Sequence, residues 1–362
     1  MTEFARSHPG GSDKLLMARG GPIEPFWQMY PFHKKENIIC LLDPYKIGQL
    51  DERDVLDEKD LPDFKDLQSQ NLARSDKLNL LQKFPYCAQT PPAYMTFKKE
   101  NFLTPPKEMF ERNHNLIPEI EEEDYELLLM ANGKKDENPV ELNLDQIKKM
   151  PRHSVMAAIV CAGSKRTAIQ NKFPTVKGLK WTNGAIGNTV YTGVTMRHVL
   201  LEVMGLKESE VRGKDLQLIA IAYDADFQGT HYEVSIPLDD ALDPRNEVLL
   251  AYEMNGEPIP AVHGFPIRML SPGYIGVRSA KWVHKLVIST EMADSTPQRR
   301  DYKIVKDADI TKVNWAAHKC VYGQVINSAF AQPFNGDTVV PDATTGSVEI
   351  SGWAHGNGER GN

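Results

Sequence analysis

The sequence predicts an α+β protein whose main part is built on a mixed β-sheet. Three segments, "LQLIAIA", "VLLAYE" and "KLVIST", are apolar and rich in residues that favour strands. Helical patterns in the same region are short and few. Because strand patterns outnumber helical ones, we expect an α+β fold with a mixed sheet.

The N-terminal part is predicted to be irregular. Residues 1 to about 48 indicate short helices and turns with many aromatic side chains, as in "GGPIEPFWQMYPFH", before the apolar "NIICLL". The acidic stretch "DERDVLDEKDLPDFKD" at residues 51–66 contains few large apolar residues and predicts a solvated linker, although an exposed helix face fits equally well. The prolines of "QTPPAY" and "LTPPKE" then favour extended chain.

From about residue 109 the pattern becomes globular. The segment "NLDQIKKMP" predicts a short helix capped by Asn143 and stopped by Pro151. The wholly apolar "SVMAAIV" predicts a strand buried on both faces. In "TMRHVLLEVMG" we expect a helix that Thr195 caps and Gly205 ends. The "MNG" sequence predicts a hairpin turn.

Composition excludes several classes of protein. The chain has 362 residues, 41% of them hydrophobic, which favours two or three domains. With a net charge of −7 and no long Lys/Arg block, we expect no nucleic-acid partner. No apolar stretch approaches the roughly 18–20 residues that span a bilayer, so we expect no membrane insertion. The opening "MTEFARSHPGG" lacks a signal-peptide core.

The four cysteines form no C-x-x-C pair, so neither a zinc site nor a disulfide framework is indicated. Cys40, Cys87 and Cys320 are expected to be small, buried, apolar residues. Cys161 differs because it ends an apolar run and is followed by a glycine turn, Lys165 and Arg166. Nearby cations favour a thiolate, which acts either as a nucleophile or as a soft metal ligand. A nucleophile needs a nearby histidine base, which the sequence alone does not place. A metal site with one cysteine needs most of its ligands from elsewhere, such as a cofactor.

Several motifs resemble one family in the right order, over roughly residues 108 to 320. "IVCAGSKR", "VKGLKWTNGAIG", "LLAYEMNGEPIPAVHGFPIR" and "QRRDYK" resemble the molybdenum-pterin domain of sulfite oxidases and plant-type nitrate reductases, and "FERNHNLIPEI" resembles the segment that opens it. The resemblance implies a mixed-sheet, sulfite-oxidase-type molybdenum cofactor domain. It also implies that Cys161 is the sole protein ligand to molybdenum, with the pterin dithiolene and oxo groups as the other ligands.

The resemblance implies roles for further residues. Arg112 and Arg166 match arginines that face an oxyanion pocket, Tyr302 matches a tyrosine at the substrate site, and Trp181 matches a pocket-wall tryptophan. Lys177 belongs to this group or to the next. The positions expected to hold the pterin and its phosphate are His114, Asp224, His263, Arg268, Arg278, Ser279 and Lys281.

Taken singly, these residues have simpler interpretations. Arg112 would be an ordinary surface cation, Tyr302 part of a surface pair, and His263 a turn residue; only the ordered set favours a function. The sequence also departs from the family. Ser164 and Lys165 stand where Asn-Arg is usual, and Tyr191 stands where tryptophan is common. Because lysine lacks the guanidinium fork, we expect a difference in the substrate pocket.

The first residues, "TEFARSHPGGSDKLL", resemble the haem-binding segment of cytochrome b5. The resemblance implies that His8 and His33 are the two axial ligands of a haem b iron. That family carries a strand-rich segment before the HPGG motif, whereas this chain starts almost at the motif. We therefore expect a chain truncated at both ends.

Together these features divide the chain into four parts. We expect a partial cytochrome b5-like α+β domain at 1–48, an acidic linker at 49–85 and a molybdenum-pterin oxidoreductase domain at 86–318. The beginning of a C-terminal dimerisation domain follows at 319–362. The alternating "GSVEISGWAH" in this last part indicates a strand of an immunoglobulin-like β-sandwich.

The order of the domains favours one activity. Animal sulfite oxidases place the haem domain first, whereas nitrate reductases place it after the molybdenum domain. The resemblance thus implies oxidation of sulfite to sulfate, with electrons passing through haem b to cytochrome c. It also implies a homodimer in the full-length protein and, although no targeting peptide is visible, the mitochondrial intermembrane space. The alternatives are a nitrate reductase-like or other oxyanion oxidoreductase, and a non-catalytic haem-binding or partner-binding fragment.

Overall fold

The structure is a computed structural model. It describes residues 36–49, 74–83, 85–96, 99–131, 139–174, 178–225, 230–305, 313–333 and 336–356, and residues 15, 23, 27, 51, 72 and 176 singly. The proposed haem ligands His8 and His33 and most of the acidic linker lie outside these residues.

The described part of the chain is dominated by strands. They are β1 (Asn79–Gln82), β2 (Cys87–Gln89), β3 (Glu111–Arg112), β4 (Glu126–Ala131), β5 (Val140–Asn143), β6 (Arg152–Val160), β7 (Ile186–Thr195), β8 (Gln217–Ala225), β9 (His231–Pro237), β10 (Leu249–Met254), β11 (Glu257–Pro258), β12 (Arg268–Leu270), β13 (Val283–Ser289), β14 (Asn327–Gln332) and β15 (Ser351–His355).

The helices are short by comparison. They are α1 (Glu36–Ile39), α2 (Leu144–Lys148), α3 (Arg166–Lys172), α4 (Met196–His198), α5 (Glu208–Val211), α6 (Leu238–Leu242) and α7 (Thr296–Arg299). The π-helix Val199–Val203 continues α4. The 3₁₀ turns are Asp43–Tyr45, Pro92–Thr96, Lys99–Asn101, Pro106–Glu108, Pro244–Asn246, Ala261–His263, Gly276–Arg278 and Trp315–Ala317.

Two five-stranded sheets form the body of the protein. One has the order β11-β10-β7-β6, with β12 also paired to β10, and the other has the order β5-β4-β13-β8-β9. The second sheet is mixed, because β13 runs parallel to β4 and antiparallel to β8. The main hydrophobic cluster takes side chains from both sheets, among them Leu127, Leu218, Leu250 and Met269. The α+β prediction with a mixed sheet is confirmed.

Local sequence signals explain how the elements begin and end. Asn143 caps α2 in a reciprocal capping box with Gln146, as predicted. The Thr195 hydroxyl accepts from the His198 N–H at 3.3 Å and so starts α4. At the predicted hairpin turn, Asn255 and Gly256 have φ of 55° and 87°, which small or amide residues adopt most easily.

Two smaller sheets flank the body. The order β1-β2-β3 forms a three-stranded sheet, in which β3 brings Arg112 opposite Cys87. At the other end, β14 and β15 pair and pack Trp353 and Ala331 against Met95, Val160 and Ile186. The described C-terminal residues form only this two-stranded sheet, so the immunoglobulin-like sandwich stays a prediction.

Two expectations about burial were wrong. Strand β6 is not buried on both faces, because it lies at the edge of its sheet and Met156 is 55% exposed. Cys40 lies exposed in a turn after α1, and Cys320 is half-buried, so of the three cysteines expected inside only Cys87 is fully buried. Within the described residues, no helix has the length and apolar character needed to cross a bilayer.

Candidate active site

Cys161 lies where strand β6 ends against strand β7. Its backbone N–H donates to Ala185 O at 3.0 Å, and the chain then turns, with the Ser164 N–H donating to Cys161 O at 2.9 Å. The Gly163 N–H points at Cys161 Sγ from 3.4 Å. The turn therefore holds the sulfur at the end of the sheet, next to the start of α3.

Gly163, two residues after Cys161, is required by close packing. A Cβ on Gly163 would come within 2.7 Å of Trp181 Cδ1 and 2.8 Å of Arg166 Nη2. Gly178, at φ +114°, encloses the same guanidinium, because a Cβ there would lie 2.8 Å from Arg166 Nη1. Arg166 is thus clamped between two glycines, and its Nη1 donates to Leu179 O at 3.2 Å.

A cavity opens beside Cys161. It lies between the ends of strands β3, β6, β8 and β12 and the turn before β13. Its walls are Met109, Phe110, Glu111, Arg112, Asn113, His114, Ile159, Cys161, Ala162, Asp224, Tyr232, His263, Arg268, Gly276, Val277, Ser279, Ala280, Lys281, Trp282 and Tyr302. The structure therefore brings together nine of the residues predicted from sequence: Arg112, His114, Cys161, Asp224, His263, Arg268, Ser279, Lys281 and Tyr302.

Arg112 and Tyr302 face the sulfur across this cavity. Burial by itself disfavours the charged guanidinium, but Cys87, Tyr302 and Cys161 together raise the pKa of Arg112 above its ordinary value. Burial raises the pKa of Tyr302 to about 12, which keeps its hydroxyl protonated at neutral pH. That hydroxyl lies 3.2 Å from His114 Nε2. The site thus presents a cation and a phenolic O–H, both suited to a small oxyanion.

A second group of charged residues lines the same cavity. Burial lowers the pKa of Lys281 to about 7, and its Nζ donates to Val262 O at 3.0 Å and to Asn113 Oδ1. Burial also raises the pKa of Asp224 to about 6. Asn115 donates to Asp224 Oδ2 at 3.1 Å, whereas no neighbour among the described residues bonds Oδ1.

Arg268 and His263 complete this group. Arg268 Nη1 donates to His263 O at 3.3 Å, its Nε has no acceptor within the described part of the chain, and its guanidinium lies 5.9 Å from the Tyr191 ring. No carboxylate in that part pairs with Arg268, and burial lowers its pKa. Burial lowers the pKa of His263 to about 3, so this imidazole is neutral and its Nε2 donates to Pro106 O at 2.7 Å.

Three of the residues predicted for this site, Arg166, Trp181 and Arg278, do not line the cavity, and Lys177, like His8 and His33, is outside the described residues. Arg278 is fully buried, and its nitrogens donate to Val321 O and Gln298 Oε1. Trp181 is fully buried behind Gly163, edge-on to Phe110. Arg166 lies between Gly163 and Gly178 and is not part of the cavity lining.

Lys165 does not act as the sequence suggested. Its backbone takes a left-handed φ of 61°, and its Nζ donates to Ser328 O on strand β14, 5.8 Å from the Trp353 ring. The groups that favour the thiolate of Cys161 are instead the Gly163 N–H, by its hydrogen bond, and the cations Arg112 and Arg166. These do not outweigh burial, which raises the pKa of the Cys161 thiol. A bound metal cation would supply the missing compensation for a thiolate.

Sequence reasoning missed several lining residues. Glu111 is buried and pairs with Arg74 at 3.0 Å, and Asn113, Tyr232 and Trp282 also line the cavity. Cys87 was taken for inert packing, yet its sulfur lies 3.7 Å from Arg112 Nη1. Glu111 and Asn113 flank Arg112 within "ERNH", so considering the two neighbours of Arg112 in that motif would have found them.

These residues fit a pterin cofactor that carries a phosphate and a metal. Arg268, without a carboxylate partner, and Lys281 fit an anionic group such as a phosphate. The Oδ1 of Asp224, which has no hydrogen-bond partner among the described residues, fits an N–H group of a heterocycle. Cys161 supplies one soft ligand, and among the described residues no group of three or more metal-binding side chains is present. A metal at this sulfur would need its other ligands from a cofactor.

Comparison with known proteins agrees with this geometry. Residues 114–297 match the family model described as "Oxidoreductase molybdopterin binding domain", and residues 1–51 match "Cytochrome b5-like Heme/Steroid binding domain". Among solved structures, the sulfane dehydrogenase SoxCD from Paracoccus pantotrophus is similar with a TM-score of 0.53 and 22% identity, over 83% of this chain and 69% of that chain. This likeness shows a shared fold.

Two curated relatives are similar over nearly the whole chain. The mitochondrial sulfite oxidase of Rattus norvegicus is 36% identical over 99% of this chain and 63% of its own length. The sulfite oxidase of Gallus gallus is 34% identical over 99% of this chain and 75% of its own length. The chain therefore spans less than two thirds of the rat relative.

Proposed function

Since the chain belongs to the sulfite oxidase family, we propose that it oxidises sulfite to sulfate at a molybdenum-pterin centre held by Cys161. The observation that carries the proposal is the cavity in which Cys161, Arg112 and Tyr302 meet. A sulfur ligand, a fixed cation and a protonated phenol at one opening suit redox chemistry on a small oxyanion.

The residues of this chain would bind and orient the anion. Arg112 supplies charge at the cavity wall, and Arg166, held by two glycines, adds charge from behind Cys161. Tyr302 retains its proton and donates a hydrogen bond towards an oxygen of the substrate or product. Trp181 keeps water from the rear of the sulfur, because its ring is fully buried there. When bound, the cofactor would supply the two-electron redox step and the transferred oxygen.

We assign the binding of the cofactor to a second group of residues that line the same cavity. Arg268, Lys281 and Ser279 would bind the phosphate, while Asp224, His263 and His114 would bind the heterocycle. Arg278 would act indirectly, by holding Val321 and Gln298 below the wall. Lys177 keeps its sequence-based assignment to the substrate or the cofactor.

The other parts of the proposal rest on sequence and on the relatives. We assign residues 1–48 to a haem b domain with His8 and His33 as iron ligands, followed by a linker at 49–85, the molybdenum domain at 86–318 and the start of a dimerisation domain at 319–362. Electrons would pass from the cavity through this haem to cytochrome c. The names of the mammalian relatives support a mitochondrial location, for which we propose the intermembrane space. We also propose, from the sequence resemblance alone, that the full-length protein is a homodimer.

The deciding experiment measures cofactor and turnover in one preparation. The chain is produced in a host that makes the molybdenum-pterin cofactor, and molybdenum, pterin and haem are quantified. We expect about one molybdenum per chain and sulfite-dependent reduction of cytochrome c, with no nitrate-dependent oxidation of a reduced dye. Nitrate turnover without sulfite turnover would show a nitrate reductase-like enzyme. A folded preparation without molybdenum would show a non-catalytic protein.

A further inference from the structure

Cys87 lies opposite the arginine that faces the cavity. The two residues are direct partners in the antiparallel pairing of β2 with β3, although 25 positions separate them in sequence. Cys87 is fully buried, in the same apolar cluster as Cys161 and Trp181. The buried Cys87 thiol therefore contacts Arg112, which lines the cavity, as well as the apolar cluster around it.

The thiol and the guanidinium share one acceptor. Arg112 Nη1 donates to Cys87 Sγ at 3.7 Å and also to Asn113 O. Cys87 Sγ in turn donates to Asn113 O at 3.6 Å. The three groups close a small hydrogen-bonded triangle, which directs one corner of the guanidinium into the protein.

This triangle determines which part of Arg112 is left for a ligand. In the part of the chain that the structure describes, the hydrogen bonds of this guanidinium to protein all start at Nη1. The remaining N–H groups at Nε and Nη2 are therefore available to an anion in the cavity that Arg112 lines. Two parallel N–H groups of one guanidinium match two oxygens of a small oxyanion.

Sulfur suits this task for an electrostatic reason. A carboxylate at position 87 would hold the guanidinium but would also neutralise its charge, as Glu111 does for Arg74. A thiol is a weak acceptor that carries no full charge. It can fix the orientation of Arg112 and leave the positive charge for the substrate.

We propose that Cys87 is a positioning residue for oxyanion binding, which acts by orienting the Arg112 guanidinium. The inference rests on the proposed function, because it takes the oxyanion pocket as the place where sulfite binds. Cys87 does not touch the substrate and takes no part in electron or proton transfer.

The test compares four variants of the full chain loaded with its cofactor. Cys87→Ser keeps a donor and an acceptor, Cys87→Ala and Cys87→Val remove both, and Cys40→Ala removes an exposed thiol as a matched control. Molybdenum content and thermal unfolding are measured for each variant. Steady-state kinetics give KM and kcat for sulfite, and calorimetry gives the dissociation constant of sulfate.

We expect Cys87→Ala and Cys87→Val to raise the sulfite KM and the sulfate dissociation constant by roughly 5- to 10-fold, as for loss of one weak hydrogen bond, with kcat little changed. Cys87→Ser should restore both constants, and Cys40→Ala should leave them unchanged. Equal constants for all variants would overturn the inference, and so would equal losses in the Ser, Ala and Val variants.

The calorimetry also separates this inference from the proposed function. If the loaded chain does not oxidise sulfite, the proposed function fails, yet sulfate binding still reports whether position 87 orients Arg112. If Cys87→Ala does not fold, Cys87→Val is compared with Cys87→Ser. A weaker affinity for sulfate in Cys87→Val alone would support the inference, and equal affinities in the two variants would overturn it.

Discussion

The Tyr302 hydroxyl lies 3.2 Å from His114 Nε2, and the His114 ring packs on Tyr232 with 5.2 Å between ring centroids. Residues 188 positions apart in sequence thus form one contact in the lining of the cavity. His114 and Tyr232 restrain the phenol ring, so that its O–H is directed before a substrate enters.

Tyr302→Phe tests the role of this hydroxyl. The variant keeps the ring and loses one donor to the bound oxyanion, so we expect sulfite turnover to fall about 10- to 100-fold, the effect of a hydrogen bond to a charged group. Molybdenum content should not change, since Tyr302 is not a ligand. Steady-state kinetics with metal analysis check this. Full activity in the variant would contradict the assignment.

Cys161→Ser tests the metal ligand. Serine has a similar shape but is a harder and more weakly acidic ligand, so we expect molybdenum retention to fall and sulfite turnover to be lost. Metal analysis after gel filtration measures retention, and Cys40→Ser, an exposed thiol far from the cavity in sequence, is the control. Undiminished molybdenum in Cys161→Ser would exclude Cys161 as the sole protein ligand.

Arg166→Gln tests the clamped cation. Loss of its charge should weaken anion binding before it affects the chemical step, so we expect the sulfite KM to rise roughly tenfold or more. Arg152→Gln is the matched control, because Arg152 is exposed on β6 and pairs with Glu253. The two variants are compared by steady-state kinetics. An unchanged KM in Arg166→Gln would rule out the assigned role.

Lys165→Met tests the link to the C-terminal sheet. The Lys165 Nζ donates to Ser328 O beside the Trp353 ring, so loss of the charge should lower the free energy of unfolding by about 0.5–1 kcal/mol. It should also increase hydrogen exchange across β14, while the sulfite KM stays the same. Lys180→Met, at an exposed position, is the control. A changed KM with unchanged exchange would mean that Lys165 acts on the substrate.

His263 makes the protein sensitive to acid. Its pKa is about 3 in the folded chain against 6.5 for an ordinary histidine, so the unfolded chain binds the extra proton as pH falls below 6.5. Stability is therefore lost as pH falls from 6.5 towards 3. His263→Gln keeps a donor for Pro106 O and removes the titration.

Between pH 6.5 and pH 5 the unchanged chain should lose about 1.5 kcal/mol more stability than His263→Gln, by the linkage of proton binding to folding. Urea unfolding at the two pH values measures the difference, and acidic groups that also titrate cancel because both proteins share them. Parallel losses in the two proteins would show that the pKa of His263 is not lowered in the folded chain.

What the sequence alone determined is local. The Asn143 and Thr195 caps, the Asn255–Gly256 turn and the strand that ends at Cys161 depend on residues a few positions apart. Ordered motifs also located nine of the cavity residues, because each motif keeps its own spacing.

Only the tertiary structure decided which of these side chains meet. Strand pairing placed Cys87 opposite Arg112. The packing of segments far apart in sequence placed Glu111 beside Arg74, turned Lys165 towards Ser328, and buried Arg278 against Val321. Charge and residue type are visible in sequence, but the direction of a side chain depends on strand register and on segments far apart along the chain. A one-residue shift of register turns a side chain to the other face of its sheet, and nothing within a single motif specifies that choice.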